Sequence, residues 1–252
     1  MTELLPFYTA IHNRGALKIT GHDRYTFLQG LITNDIKTLQ KQDCMYACLL
    51  TPQGKFLFDF FITENQKTLI LDCEGGERLT DLHKILGLYK LRSDVTITIQ
   101  NNVTIYTTIG QSHGFADPRH SNMGYRSTEK PLNITEAPFA LWDKHRISLT
   151  IPDGSRDLIV KQSTMDEGRM DTLNAISYDK GCYLGQELTA RMHYRGLGKK
   201  NLYTITPQDI GLEKFPDHGA NIDHNGKIIG QMRSSCDDLG IALLKSPPQD
   251  LK

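Results

Sequence analysis

The residues best suited to do chemistry lie in one unbroken stretch, residues 180–191, which reads KGCYLGQELTAR. Apolar and charged residues recur at helical spacing from Leu184 onward, which predicts a loop that feeds a helix ended by Gly196. Cys182 would lie just before the first helical turn, where backbone N–H groups and the helix dipole favour a thiolate or another anion. Two interpretations stay open: a reactive thiol, or an inert structural cysteine.

Other residues of this stretch could support ligand binding. Lys180 would add positive charge near the thiol, and Gly181 with Gly185 would let a ligand approach the backbone closely. Arg191 follows Glu187 by one helical turn, so it can reach a ligand or simply pair with that acid.

A second candidate group lies in the first third of the chain. Residues 55–63 alternate like one strand of a hairpin that turns at residues 51–54. The alternation puts Phe56, Phe58 and Phe60 on one face and the carboxylate of Asp59 on the other, where the open alternatives are a ligand contact and a satisfied structural charge.

Three further polar residues are open to two interpretations each. Asn34 and Asp35 end a predicted amphipathic helix, so they either line a site or serve the helix end. Glu167 is either a ligand contact or an ordinary surface carboxylate next to Asp166. The basic run of Arg195, Lys199 and Lys200 reads as a solvated linker or as a contact for a ligand tail or partner.

Composition narrows the class of protein. Lys plus Arg and Asp plus Glu number 29 each, so no overall field attracts nucleic acid or anionic membrane. The five cysteines are scattered without a CxxC pair, which argues against a disulfide framework and against a metal site built within the chain. No stretch is long and apolar enough to span a bilayer.

The predicted elements indicate an α+β protein. Their order through residue 99 is β-α-β-β-(β)-α-β, typical of a ferredoxin-like unit. A strand is predicted at residues 142–151 and a helix at residues 158–170. After Gly196 short strands alternate with turns, so we predict two domains, residues 1–196 and a small C-terminal β-barrel at residues 197–252.

Residues 180–191 resemble the K-G-C-Y-x-G-Q-E signature of the YgfZ-type folate-binding family, which is related in fold to the glycine-cleavage T-protein, an aminomethyltransferase. Three other stretches agree with that resemblance. They are the G-H-D, F-L-Q-G and T-N-D blocks at residues 21–35, the T-P-Q-G-K turn at residues 51–55, and the strands at residues 226–230 and 239–242.

The resemblance implies a T-protein-like body that binds tetrahydrofolate or a derivative and supports the synthesis or repair of [4Fe–4S] enzymes, including enzymes of tRNA modification. It implies that Cys182 acts through thiol chemistry. The residues that it implies for the folate site are Asn34, Asp35, Asp59, Glu167, Lys180, Gly181, Tyr183, Gln186 and Arg191.

Two other functions remain open at this stage. One is a folate-dependent aminomethyltransferase or other one-carbon transfer enzyme, with Asp59 steering a proton; whether the chain is an enzyme is therefore undecided. The other is an RNA- or protein-binding module, which the zero net charge disfavours. We expect a cytoplasmic monomer, in the mitochondrial matrix if the source is eukaryotic, that meets iron–sulfur client or assembly proteins and neither membrane nor nucleic acid.

Overall fold

The computed structural model describes residues 5–251; the ends of the two predicted domains, residues 1–4 and residue 252, lie outside the described residues. Over the described range the chain forms an eight-stranded sheet, a four-stranded sheet and four α-helices. The helices are α1 (Arg24–Gln29), α2 (Glu77–Lys90), α3 (Phe139–Ser148) and α4 (Gln186–Arg195).

The large sheet has the strand order β2-β3-β4-β1-β5-β7-β6, with β8 paired to β1 in parallel. Its strands are β1 (Phe7–Thr20), β2 (Cys44–Leu50), β3 (Phe56–Asn65), β4 (Thr68–Glu74), β5 (Thr96–Ile109), β6 (Phe115–Ala116), β7 (Tyr125–Ser127) and β8 (Thr135–Glu136). The element order through β5 matches the predicted α+β arrangement, although β1 and β5 are longer than the sequence pattern indicated.

Both faces of β2 are buried, which explains why this strand is apolar throughout. Met45, Ala47 and Leu49 pack with α1 and α2 on one face. Tyr46 and Cys48 point to the other face and pack with α3 and the second sheet. Successive side chains of a strand point to opposite faces, so one strand serves two cores.

A β-bulge changes the predicted face of Phe56. Leu49 pairs with Phe58 whereas Leu50 pairs with Phe56, so Leu57 is the extra residue of the bulge. The extra residue moves Phe56 into the same cluster as Leu50, while Phe58 packs on the opposite face. The prediction that all three phenylalanines share a face is therefore wrong for Phe56.

Two predicted elements in the middle of the chain are wrong. The strand predicted at residues 142–151 is mostly helix α3, because Trp142, Asp143, Arg146 and Ile147 are buried at helical spacing. The helix predicted at residues 158–170 is a series of turns instead.

The second sheet has the order β10-β11-β12-β9, from β9 (Asn201–Ile205), β10 (Asn221–His224), β11 (Lys227–Cys236) and β12 (Leu239–Leu244). It has its own small core around Met232. Leu202, Ile241 and Leu243 also join the core cluster of the large sheet, so the two sheets share one apolar interface. No helix among residues 5–251 is long and apolar enough to cross a membrane.

A buried arginine fastens α3 and the loop that contains Asp157 to the second sheet. Arg146 of α3 is completely buried and donates to Asp143 and Asp157, each at 2.7 Å. It also donates at 2.7 Å to the hydroxyl of Ser234 on β11, whose backbone N–H bonds Asp157 in turn. Because every partner is charged or polar and buried, the network holds only if it is complete.

Candidate functional site

Cys182 lies in an extended segment, residues 180–185, on the surface of the molecule. It is the fully exposed thiol among the five cysteines; Cys236 is half-buried, and Cys44, Cys48 and Cys73 are buried. Helix α4 begins at Gln186, and its N-cap Gly185 is in a left-handed conformation, so Cys182 lies three residues before the N-cap. The predicted help of the helix N-terminus to a thiolate at Cys182 stays a prediction.

Cys182 borders a cleft of about 540 Å³, which we call the Cys182 cleft. Its other walls come from α1 and the short 3-10 helix at residues 36–40. The lining residues are Tyr25, Thr26, Gln29, Gly30, Ile36, Lys37, Gln40 and Cys182. The volume falls within the range of small-molecule sites, and the walls are mostly apolar.

Lys180 holds the Cys182 segment against α1. Its Nζ donates to the carbonyl oxygens of Gln29, Ile32 and Asn34, at 2.7, 2.7 and 2.8 Å. These three bonds use all three N–H groups of the ammonium. Burial lowers the pKa of Lys180 to about 8, an effect that the charge of Asp35 opposes. Lys180 therefore has no N–H group left for a ligand.

The two glycines of the Cys182 segment, Gly181 and Gly185, differ in how closely other atoms surround them. A Cβ on Gly185 would lie 2.4 Å from the carbonyl oxygen of Thr51, in the turn between β2 and β3. A Cβ on Gly54, in the same turn, would lie 2.7 Å from the Cβ of Leu188 in α4. A Cβ on Gly181 would meet nothing within 4 Å, so no packing contact requires a glycine there.

Asn34 and Asp35 follow α1 and stabilise the backbone around them. Asn34 donates to the carbonyl oxygens of Tyr46 and Asn174, at 2.9 and 2.8 Å. Asp35 caps the 3-10 helix by accepting from the backbone N–H of Lys37 at 3.0 Å. Asn34 and Tyr46 also line a separate cavity of about 540 Å³.

Asp59 is a buried carboxylate with one free oxygen. Its Oδ2 accepts a 2.8 Å hydrogen bond from the hydroxyl of Tyr46. Its Oδ1 accepts no hydrogen bond from residues 5–251, and a Cβ on Gly154 would lie 3.0 Å from it. Burial raises the pKa of Asp59, while Arg14 and the Tyr46 hydrogen bond lower it.

Gly154 forms part of a cavity of about 320 Å³, which we call the Gly154 cavity. Residues 10–14 of β1 form one wall, where a β-bulge interrupts the pairing with β5. Charges of both signs line it: Arg14 and Arg156, with Glu74 and Asp153. Bulges are common beside functional sites because they redirect side chains.

The other predicted site residues do not meet at one place. Glu167 and Thr164 bond each other's backbone N–H groups at 2.9 and 3.2 Å, and the carbonyl of Glu167 accepts from Leu202 of β9. Tyr183 is buried in the core, which raises its pKa to about 12. The side chain of Gln186, at the start of α4, accepts from the N–H of Tyr183 at 3.4 Å.

Arg191 pairs with Glu187 on the exposed face of α4, as its helical spacing indicated. The structure thus brings Cys182 together with α1 but places the free oxygen of Asp59 beside a different cavity. Sequence reasoning missed Gly154 and Arg156 altogether. The P-D-G-S-R run at residues 152–156 marks a turn, but no feature of it points to Asp59.

Comparison with solved structures identifies the fold. The chain superposes on the glycine cleavage system aminomethyltransferase T of Bartonella henselae with a TM-score of 0.71, covering 97% of this chain and 79% of that one. The two sequences are 13% identical, so this likeness concerns the fold alone. The protein has the T-protein fold that the sequence predicted.

Sequence comparisons agree with the family resemblance of residues 180–191. A family model described as the C-terminal β-barrel domain of CAF17 matches residues 199–247. The chain is 29% identical to a mitochondrial protein of Mycosarcoma maydis named iron-sulfur cluster assembly factor IBA57 homolog, over 93% of this chain and 72% of that protein. It is 28% identical to the human mitochondrial iron-sulfur cluster assembly factor IBA57, over 94% of this chain and 76% of that protein. These similarities support the YgfZ-type family that the signature at residues 180–191 indicated.

Proposed function

We propose that this protein is an accessory factor for the assembly or repair of iron–sulfur clusters and that Cys182 is its working residue. The names of its relatives support the general role. The observation that carries the assignment to Cys182 is its exposure, at the edge of a cleft, in a segment that Lys180 fixes to α1. The iron–sulfur cluster is the cargo, and client or assembly proteins are the partners.

The chemistry proposed for Cys182 is transient ligation of iron. The thiol releases its proton to water, and the thiolate gives an electron pair to an iron atom of the cluster. No oxidation state changes, and the step reverses when a thiolate of the client displaces Cys182. Cys182 supplies one ligand, and the partner supplies the others.

We place a reduced folate in the Gly154 cavity. The free Oδ1 of Asp59 suits the adjacent N–H donors of a pterin ring, and a glycine at position 154 leaves room for them. Arg14 pairs with Asp72, and Arg156 pairs with Asp143 and Asp153, but Arg14 Nη1 and Arg156 Nε donate to no residue of the range 5–251. These remaining N–H groups suit the carboxylates of the glutamyl tail. A bound tetrahydrofolate would supply nitrogen atoms that carry one-carbon units.

A rescue experiment tests the role and the residue together. In a host that lacks its own family member, we would measure the activity of a [4Fe–4S] tRNA methylthiotransferase after restoring wild type, Cys182→Ala or Cys236→Ala. We expect rescue by wild type and by Cys236→Ala but not by Cys182→Ala. Failure of all three proteins would contradict the role in iron–sulfur cluster assembly or repair. Rescue by all three would show that Cys182 is a structural residue.

Folate binding needs its own measurement. We expect tetrahydrofolate to bind wild type, by calorimetry, and to bind Asp59→Asn at least about tenfold more weakly, because an amide presents only one acceptor oxygen and no charge. Gly154→Ala places a methyl group against Asp59 and should weaken binding as well. Equal affinity of tetrahydrofolate for all three proteins would contradict the proposal that it binds in the Gly154 cavity.

A folate-dependent aminomethyltransferase is the second candidate. It is favoured by Asp59, a buried carboxyl of raised pKa beside a cavity, which is the kind of group that directs a proton during one-carbon transfer. Turnover of an aminomethyl donor with tetrahydrofolate, abolished in Asp59→Asn and kept in Cys182→Ala, would establish this function instead. The relatives' names favour a mitochondrial matrix location if the source is eukaryotic, and we propose a monomer.

A further inference from the structure

Helix α4 is barely covered by the rest of the protein. Of its ten residues only Thr189 is fully buried by the chain that the structure describes. Tyr194 is 71% exposed, and Leu197, just beyond the helix, is 48% exposed. A helix of this length gains little stability on its own in water and depends on packing. One face of α4 is therefore available to a partner.

The chain segment that forms this face is basic, although the carboxylate of Asp166 lies against Gly198. Residues 191–200 contain Arg191, Arg195, Lys199 and Lys200 and no carboxylate, in a chain whose charges otherwise balance. Arg191 pairs with Glu187, but the other three cations form no ion pair with residues 5–251. Cations in the last turn stabilise a helix by its dipole, which accounts for Arg195 but not for the two lysines beyond Gly196.

Aromatic side chains stiffen the same surface. The ring of Tyr178 stacks on His193 with centroids 3.8 Å apart, and Tyr194 meets both rings edge-on at 6.1 and 5.1 Å. This arrangement holds an exposed tyrosine in place next to cations. Tyrosine and arginine are enriched at protein interfaces. A tyrosine buries a large area at a small cost in conformational entropy.

We propose that this face, the α4 surface (Arg191, Tyr194, Arg195, Leu197, Lys199 and Lys200), docks an acidic segment of a partner protein. A carboxylate-rich segment complements the unpaired cations, and an apolar group on it would cover Tyr194 and Leu197. The surface starts at Arg191, about 8 Å along the helix from Gln186, the residue that follows the Cys182 segment. An interface of ordinary size centred on α4 therefore reaches Cys182.

This inference extends the proposed function by naming the chemistry of the partner, and its test does not depend on cluster transfer. A photo-crosslinking amino acid, p-benzoylphenylalanine, replaces Tyr194 in the full-length chain expressed in cells. We expect a crosslinked protein whose attached peptide, mapped by mass spectrometry, is rich in Asp and Glu.

Charge reversal supplies the comparison. Arg195→Glu/Lys199→Glu/Lys200→Glu should lower the crosslink yield at least about tenfold, because like charges then face each other. The control Lys84→Glu/Lys90→Glu/Arg92→Glu makes the same charge change at the end of α2 and should leave the yield unchanged. Melting curves of both variants establish that each is folded.

A second reversal makes the charge requirement specific. Replacing the acidic residues of the mapped peptide by Lys should restore crosslinking to the charge-reversed chain. An absent crosslink, an attached peptide without excess acid, crosslinked RNA, or an equal loss in the control each overturns the proposal. Rescue by Cys182→Ala would contradict the proposed role of Cys182 while leaving this docking result intact.

Discussion

Gly181 and Gly185, the two glycines of the Cys182 segment, allow a sharp test of how that segment is held. Gly185→Ala should destabilise the protein, because φ at this position is +79° and the new Cβ would lie 2.4 Å from the carbonyl oxygen of Thr51. The left-handed backbone costs a non-glycine residue about 1–2 kcal/mol. Overpacking against a backbone atom, which no side-chain rotation relieves, adds about 1–3 kcal/mol.

The free energy of unfolding should thus fall by about 2–5 kcal/mol, which corresponds to roughly 5–15 °C in Tm for a chain of this size. Gly181→Ala is the matched control, because its Cβ meets nothing within 4 Å and its φ lies outside the left-handed region. We expect that variant to equal wild type or to gain up to about 1 kcal/mol from a less flexible unfolded chain.

Thermal melting followed by circular dichroism compares the three proteins, and the alkylation rate of Cys182 reports on the segment directly. Gly185→Ala should melt early and alkylate faster, because the segment detaches from the turn at residues 51–54. The packing account is refuted if Gly185→Ala melts with wild type or if Gly181→Ala melts as early as Gly185→Ala. A stable Gly181→Ala protein that fails in the rescue assay would show that a glycine is needed there for ligand approach.

Three further predictions follow from burial. Alkylation of the native protein should modify Cys182 first, and Cys182→Ala should remove that fast phase while Cys236→Ala keeps it. Arg146→Met should lower the free energy of unfolding by about 3–5 kcal/mol in urea, because it leaves the buried carboxylate of Asp157 without an ion pair among residues 5–251, while Asp143 keeps Arg156. Arg191→Met removes only an exposed pair and should change the free energy of unfolding by less than about 0.5 kcal/mol. Burial raises the pKa of Asp59, so its contribution to stability is complete below the ordinary carboxyl range and is lost as pH rises through the folded pKa. Asp59→Asn should therefore gain stability relative to wild type between about pH 4 and pH 7; a constant or falling difference across that range would contradict the raised pKa.

The strands and helices of the first hundred residues could be predicted because local pattern and tertiary burial agree there. The middle of the chain differs in this respect. In residues 158–170 the hydroxyl of Ser163 accepts from the N–H of Ile159, and Glu167 accepts from the N–H of Thr164. Such side-chain bonds give the backbone partners that compete with those of a helix, so apolar spacing alone misleads.

The candidate residues could be named from the sequence, but their contacts could not. The signature marked Cys182 and Lys180 as candidates, yet only the structure shows that this lysine binds three carbonyl oxygens at and just after α1. The Oδ1 of Asp59 lies 3.0 Å from where a Cβ on Gly154 would be, and Gly154 is 95 residues away in the chain. Contacts of that range leave no local trace in a single sequence.

The surroundings of Cys182 favour ligation over nucleophilic catalysis. A catalytic thiol is normally activated by a nearby base or cation, as in a cysteine–histidine pair. Here no residue between 5 and 251 hydrogen bonds to the Sγ of Cys182, and the nearby ammonium of Lys180 is bound to carbonyl oxygens instead. A metal ion needs no such help, because it deprotonates a coordinating thiol by its own charge. A fixed, exposed and otherwise unassisted thiol therefore supports the proposal that iron, delivered by a partner, activates Cys182.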